Sequence, residues 1–314
     1  FFQEEDGIRD VERSRGLGDV YKRQELSLRW MRNYSGDSLL LHEQEFYRYW
    51  LRYYNENFEA RFGLQKIVFG TSQLLRTLSW FDSIDPMDPI GQTSGVKALR
   101  LRWFPMHNLS SWNWIIASKD DTLSYGGRIE FSNTIGEWGF TYHTDPSKSI
   151  KSISSINTSV LGSDSRFAID YRFDGLIGLW NESALIQSNR SKVVTMTLGA
   201  DYTLPISTGL LLTVEYMSMQ NQFDYATRDS KFLALMASIP LGITHQIMMV
   251  SQMNIGEEKL YHFLRWSSTY NYYSLNFICT IYPKRSSYQY HDQFLHQSLA
   301  GFGTGIQVMF IYNH

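Results

Sequence analysis

Apolar and polar residues alternate with a period of two along this chain, in runs longer than a soluble strand needs. Within 166–173, Arg166, Ala168, Asp170 and Arg172 share one face and Phe167, Ile169, Tyr171 and Phe173 the other. Val194, Met196, Leu198, Ala200 and Tyr202 oppose Thr195, Thr197, Gly199 and Asp201. Leu275, Phe277, Cys279 and Ile281 oppose Ser274, Asn276 and Thr280, and Leu99, Leu101 and Trp103 oppose Arg100 and Arg102. Such alternation marks strands with one apolar and one polar face. Helical spacing occurs only briefly, around 72–80. Many runs last about nine to thirteen residues, whereas soluble strands average about five or six and a tilted membrane strand needs about nine to eleven.

Strands are expected at 26–34, 45–54, 59–69, 96–104, 111–118, 124–131, 137–143, 164–173, 176–187, 192–204, 209–220, 231–238, 244–254, 259–267, 273–282 and 300–312. Every second connection is short: 55–58, 105–110, 133–136, 174–175, 205–208, 240–243 and the segment around Asn271. The intervening set holds the longest, at 70–95, 145–163, 221–230 and 283–299. This asymmetry is that of an outer-membrane barrel, with short periplasmic turns and long surface loops. The expected fold is all-β: a transmembrane antiparallel up-and-down β-barrel of about sixteen strands. Residues 25–314 form one domain, with both ends in the periplasm.

Composition removes the competing classes. One Cys in 314 residues excludes a disulfide scaffold. Lys+Arg at 29 against Asp+Glu at 31 leaves a net charge of -2, without the basic excess of a nucleic-acid binder. No stretch reaches the roughly 18 apolar residues of a membrane helix. Aromatic residues make up 15% of the chain. Trp103, Trp112, Trp114, Trp138, Tyr142, Tyr202, Tyr216, Trp266, Tyr272 and Tyr273 fall near strand ends, where barrels carry aromatic girdles. An aromatic-rich last strand, 303–312, resembles the signal read by the outer-membrane assembly machinery.

The first 24 residues read differently. Residues 14–24, SRGLGDVYKRQ, match residue for residue the translation of a transposase sequencing adapter ending GAT GTG TAT AAG AGA CAG. Residues 1–24 are therefore expected to be a non-native leader, excluded from fold reasoning. The natural start is then expected to be missing, with the signal peptide and any preceding strands.

The polar faces carry the candidate site. With apolar faces toward lipid, the pore lining receives Arg48, Arg52, Arg61, Arg100, Arg102, Arg128, Glu130, Arg166, Asp170 and Arg172, together with Asp201 and Glu215. An Arg facing mid-membrane lipid costs about 2–4 kcal/mol, which forces these residues inward. Two roles compete: a wall network of paired charges, or an arginine ladder that draws anions through a pore. The loop 71–95 is too long for a hairpin and carries an apolar stretch of Leu74, Leu75, Leu78, Trp80 and Phe81. It is expected to fold into the lumen as a constriction, with Asp82, Asp85 and Asp88 meeting Arg100 or Arg102. No metal-ligand spacing, nucleophile elbow or cofactor motif occurs, and the sequence does not place a serine beside a histidine on adjacent strands clearly enough to claim a barrel hydrolase. The chain is accordingly read as a non-enzyme without cofactor or metal.

A family resemblance enters at residues 61–89, RFGLQKIVFGTSQLLRTLSWFDSIDPMDP. This resembles bacterial outer-membrane porin-like barrels, including alginate-export-type and related families. In those, a strand of the form R-x-G-x-Q-x-x-x-[WF]-G runs into a loop rich in Asp-Pro. Arg61, Gly63, Gln65, Phe69 and Gly70 fit the strand; Asp82, Asp85-Pro86 and Asp88-Pro89 fit the loop. The resemblance implies a channel or export barrel and carries no substrate with it. The expected function is an outer-membrane channel for small hydrophilic, in particular anionic, solutes. Its rivals are a non-conducting barrel serving export or assembly and, more remotely, a barrel hydrolase. The partners implied are outer-membrane lipid, the solutes and the assembly machinery, with oligomeric state open.

Overall fold

A computed structural model describes residues 21–35, 38–82, 84, 87, 93, 95–118, 120–153, 158–223, 226–281 and 304–312. The strands are β1 (Tyr21–Ser35), β2 (Ser38–Tyr54), β3 (Phe58–Gln65), β4 (Val96–Met106), β5 (Leu109–Ala117), β6 (Leu123–Asn133), β7 (Gly136–Asp145), β8 (Ile150–Ile153) and β9 (Thr158–Leu161). They continue as β10 (Asp164–Asp174), β11 (Gly178–Ser188), β12 (Ser191–Leu204), β13 (Leu210–Phe223), β14 (Ala226–Leu241), β15 (His245–Asn254), β16 (Lys259–Thr269), β17 (Tyr273–Ile281) and β18 (Gly305–Tyr312). All except β8 and β9 form one 16-stranded antiparallel sheet in chain order. β8 and β9 pair only with each other. Among the described residues, β1 and β18 are each paired on one side, so the sheet is up-and-down without a closing β1–β18 ladder.

One end of the sheet carries only tight connections, at 55–57, 107–108, 134–135, 175–177, 205–209, 242–244 and 270–272. The other end carries the long segments between β3 and β4, β7 and β10, and β17 and β18. Four expectations change. The expected loop 221–230 is mostly strand, since β13 runs to Phe223 and β14 starts at Ala226. β3 ends at Gln65 rather than at 69, and 145–163 contains the β8–β9 hairpin. β1 starts at Tyr21 and pairs residues 21–24 of the expected leader with Leu51–Tyr54 of β2. Residues 1–20 lie outside the described set.

The two faces of the sheet have inverted polarity. One face exposes apolar side chains, among them Phe62 at 68%, Trp103 at 56%, Ile129 at 51% and Phe310 at 62%. The opposite face buries Arg48, Glu59, Arg100, Arg128, Asp170, Glu182 and Glu215. A water-soluble protein buries the first kind and exposes the second. Segment 66–82 packs on the buried face against clusters drawn from β4, β5 and β11 through β17. One short segment can touch strands so far apart only if the sheet rolls around it. The buried face is therefore the inner wall.

Aromatic positions divide across this wall. Trp103, Tyr142, Tyr202, Trp266, Tyr272 and Tyr273 are exposed on the outer side or at its ends. Trp112 and Trp114, expected at a rim, are instead buried inside at 8% and 2%. Their even spacing places them on the face of Arg100 and Arg102, their register partners across the β4–β5 ladder.

Candidate functional site

The site is the inner wall with segment 66–82 seated on it. Gln65, fully buried, ends β3 by donating to the carbonyls of Arg61 (3.1 Å) and Ala98 (2.9 Å). The chain then leaves the sheet, and Ile67, Phe69, Leu78 and Trp80 pack on Ala98, Trp112, Trp114, Ile116 and Ala184. Gly70 turns the segment with φ +100°, where an added Cβ would stand 2.3 Å from Glu182 Oε1. Only glycine satisfies both the backbone angle and that approach.

Two carboxylates hold the segment by its backbone. Glu182 on β11 accepts N–H groups of Thr71 (2.6 Å), Ser72 (2.7 Å) and Leu78 (3.1 Å). Glu215 on β13 accepts those of Gln73 (2.7 Å), Leu74 (3.0 Å) and Leu75 (2.5 Å), plus Trp180 Nε1 (3.1 Å). Both glutamates are completely buried. Successive amides converging on an anion form a nest, and each bond to a charged acceptor contributes about 1.5–3 kcal/mol. Thr197 Oγ1 adds a bond to the Leu75 carbonyl (2.9 Å) and sits 3.0 Å from Thr77 Oγ1.

Sequence reasoning anchored this segment through its aspartates; the structure anchors it through wall glutamates. Asp82 does not reach Arg100 or Arg102, and instead pairs with Arg76 and accepts from Ser79 (2.8 Å) inside the segment. Asp85 and Asp88 lie outside the described residues. Glu182 was missed altogether. The signal was a lone carboxylate flanked at i±2 by Trp180 and Ala184, a neighbourhood that cannot hold a charge without donors from elsewhere.

All ten residues named for the lining sit on the inner wall or at its ends, and they sort by pairing. Arg128 makes a two-pronged contact with Asp170 (2.6 and 2.9 Å) and a further one with Glu130 (2.7 Å). Its guanidinium lies over Gly139, where an added Cβ would be 2.2 Å from Nη2. Glu59 serves Arg52 (2.6 Å), Arg100 (2.6 Å) and Arg61 (3.6 Å). Arg102 reaches Glu130 at 3.3 Å, and Arg166 holds Asp164 at 2.7 Å. Arg172 pairs with Asp174 (2.8 Å) and Asp201 (3.7 Å) at the tight-turn end. Arg48 donates to the Thr93 carbonyl at 2.5 Å, tying β2 to the end of the inserted loop.

The remaining wall is apolar. Met236, Met248, Val250, Phe263 and Ile278 form one cluster, and Leu74 and Met87 pack against it. Ile186, Val193, Met217, Met219 and Ala234 form another around Leu75. That cluster includes Val160 of the β8–β9 hairpin, fully buried, so the hairpin also folds onto the segment. Lys151 fastens it through Asp164 (2.7 Å) and Asp145 (3.3 Å). Among the described residues, no group of three or more His, Cys, Asp or Glu is placed to hold a metal ion.

The architecture has solved counterparts. The chain is similar to OmpT, an outer membrane protein of Vibrio cholerae folded in vitro, in its trimer form. That match has a TM-score of 0.51 and 9% identity, covering 79% of this chain and 77% of that one. A second structure of the same protein gives TM-score 0.51 and 9% identity, covering 81% and 77%. No family model and no curated protein matches the sequence. The likeness establishes an outer-membrane-type β-barrel fold and carries no activity with it.

The reading as a non-enzyme is corrected on this point. It rested on the absence of sequence motifs, whereas the barrel fold of these neighbours is compatible with enzymes as well as channels. A serine and a histidine also do meet on adjacent strands. Ser251 on β15 and His262 on β16 are register partners, with Oγ and Nδ1 2.9 Å apart. Motif absence therefore excludes no activity here.

Proposed function

We propose that this chain is a bacterial outer-membrane barrel that admits small hydrophilic solutes through a lumen narrowed by segment 66–82. The inverted polarity carries the reading. Leucine, isoleucine and phenylalanine cover the outside of strands whose inner faces bury paired charges, which is stable when lipid lies outside. Closure by β1 and β18 completes the proposal, because an unpaired sheet edge inside hydrocarbon leaves backbone groups without partners. The tight turns then lie in the periplasm and the long segments at the cell surface.

A second reading, a non-conducting barrel that serves export or assembly, draws on the same segment. Its contacts reach from β4 to β17, so it could plug the lumen rather than constrict it. Planar-bilayer recording of the purified, refolded chain decides between them. Stable ohmic steps, larger when residues 72–93 are replaced by a short glycine linker, are expected for a constricted channel. Silence from the native chain with conduction by the excised form supports the plug. Silence from both contradicts the channel reading.

A further inference from the structure

The outer wall carries a groove of about 990 Å³ that spans β5 to β12. Outward side chains line it, among them Ile129, Phe140, Phe167 and Met196, all of them exposed. No residue of segment 66–82 lines it, so it opens away from the lumen. Gly127 stands between Asn113 and Tyr142 in the register of β5, β6 and β7, and offers no side chain. The Asn113 side chain leans over that gap, with Oδ1 3.3 Å from where a Gly127 Cβ would stand.

Asn113 does not suit the face it stands on. It is exposed on the apolar side, opposite Leu101, and is the fifth of nine residues in β5. Four residues at about 3.4 Å each, in a strand tilted by about 45°, put it roughly 10 Å from either strand end, in mid-hydrocarbon. Two other polar residues of the outer face find partners within the chain. Asn181 donates to the Thr197 carbonyl (3.3 Å) and accepts from Ser183 (3.1 Å), and Ser251 stands 2.9 Å from His262. The Asn113 amide has no such partner among the described residues. An amide in hydrocarbon with its donors and acceptor unused is destabilising.

We infer that this groove is a self-association surface, on which a second copy of the chain pairs its Asn113 with this one. A lipid tail fills an apolar groove equally well, but it brings no donor or acceptor to this depth. A primary amide is its own complement: it donates one N–H and accepts another, so two copies of Asn113 satisfy each other with two reciprocal bonds. Two chains inserted in the same direction are related by an axis along the membrane normal. That axis sets equal depths opposite each other and brings the two amides level. Gly127 leaves room beside the amide for the close approach these bonds need, as small residues do between membrane helices. The inference goes beyond the channel reading and needs only that the outer wall faces lipid.

Sedimentation equilibrium of the refolded chain in density-matched detergent tests the surface without reference to conduction. A reversible dimer is expected. Asn113→Leu should weaken it by about tenfold or more while retaining heat-modifiable gel mobility, because leucine suits a lipid-facing position. Asn113→Gln keeps the amide and should retain the dimer. In lipid vesicles, Asn113→Cys/Cys279→Ser should form an interchain disulfide on mild oxidation, and Leu264→Cys/Cys279→Ser, away from the groove on β16, should not. A folded chain that stays monomeric overturns the inference, and a phospholipid retained by that monomer would assign the groove to an acyl chain. A dimer of equal strength in Asn113→Leu overturns it as well. Either result leaves the barrel reading standing, whereas a native chain soluble without detergent removes both.

Discussion

The two halves of the inner wall do opposite things with their buried residues. From β2 to β10 it is built of ion pairs braced on tryptophan, with Arg128 locked between Asp170 and Glu130. From β12 to β17 it is built of methionine, valine, isoleucine and phenylalanine, with Met217, Val193 and Phe263 almost wholly buried. Glu182 and Glu215 stand at the seam, on β11 and β13, and hold the inserted segment by its amides. The apolar half binds the segment through Leu74 and Leu75. The charged half meets it through Phe69, 5.4 Å from Arg128, and Trp80, 5.8 Å from Arg166. The difference teaches that the segment is packed by side chains on both halves, while its backbone is held at the seam.

The largest effect should come from cutting the seam. Glu182→Ala with Glu215→Ala removes the acceptors of six segment amides. Trypsin should then cleave after Arg76, which is 6% exposed in the intact wall, and conductance should rise severalfold. A Thr77→Cys/Thr197→Cys disulfide, built with Cys279→Ser, should restore protection until it is reduced. Cleavage at the native rate in the double alanine variant would break the comparison, because the halves alone would then hold the segment.

The charged half comes next. Arg128→Ala removes the two-pronged partner of the buried Asp170, while Glu130 keeps Arg102 and Ser110. Losing one partner of a buried pair costs about 3–5 kcal/mol. Urea unfolding in detergent, followed by heat-modifiable mobility, should show this as a lowered midpoint. On the apolar half, Met217→Ala should cost about 2–3 kcal/mol by the same assay. Met217→Leu, which conserves volume, should cost less than about 1.5 kcal/mol. An equal loss from both Met217 variants would mean that this half is not packed as described. Smallest is deletion of residues 1–24 behind a supplied signal peptide. It shortens the β1–β2 ladder by four pairs and should leave assembly and mobility unchanged. Failure to assemble would show that the leader belongs to the fold.

Strand positions were legible wherever an apolar outer face met a polar inner one, as in 166–173 and 192–204. They were illegible where both faces are polar. Asn221, Gln222, Arg228 and Asp229 extend β13 and β14 beyond the apolar band, so the period of two is present without contrast. Trp112 and Trp114 misled for the opposite reason, since aromatic character suits both a rim and a wall packed against segment 66–82, and only the register with Arg102 and Arg100 decides. The inward arginines could be read from alternation alone. Their partners could not, because Glu59 and Asp170 are joined to Arg100 and Arg128 across strands. The clasp was least legible of all, since backbone amides leave no trace in a sequence.

Spin labels placed one at a time along β4 from residue 99 to 104, in a Cys279→Ser background reconstituted in lipid vesicles, test the inverted wall most directly. Labels at 99, 101 and 103 should be relaxed by oxygen dissolved in lipid and shielded from a water-soluble nickel chelate. Those at 100, 102 and 104 should show the reverse preference or no access to either reagent. Equal access of the nickel chelate to both sets would contradict the account, because it would place water on the face that carries Leu99, Leu101 and Trp103.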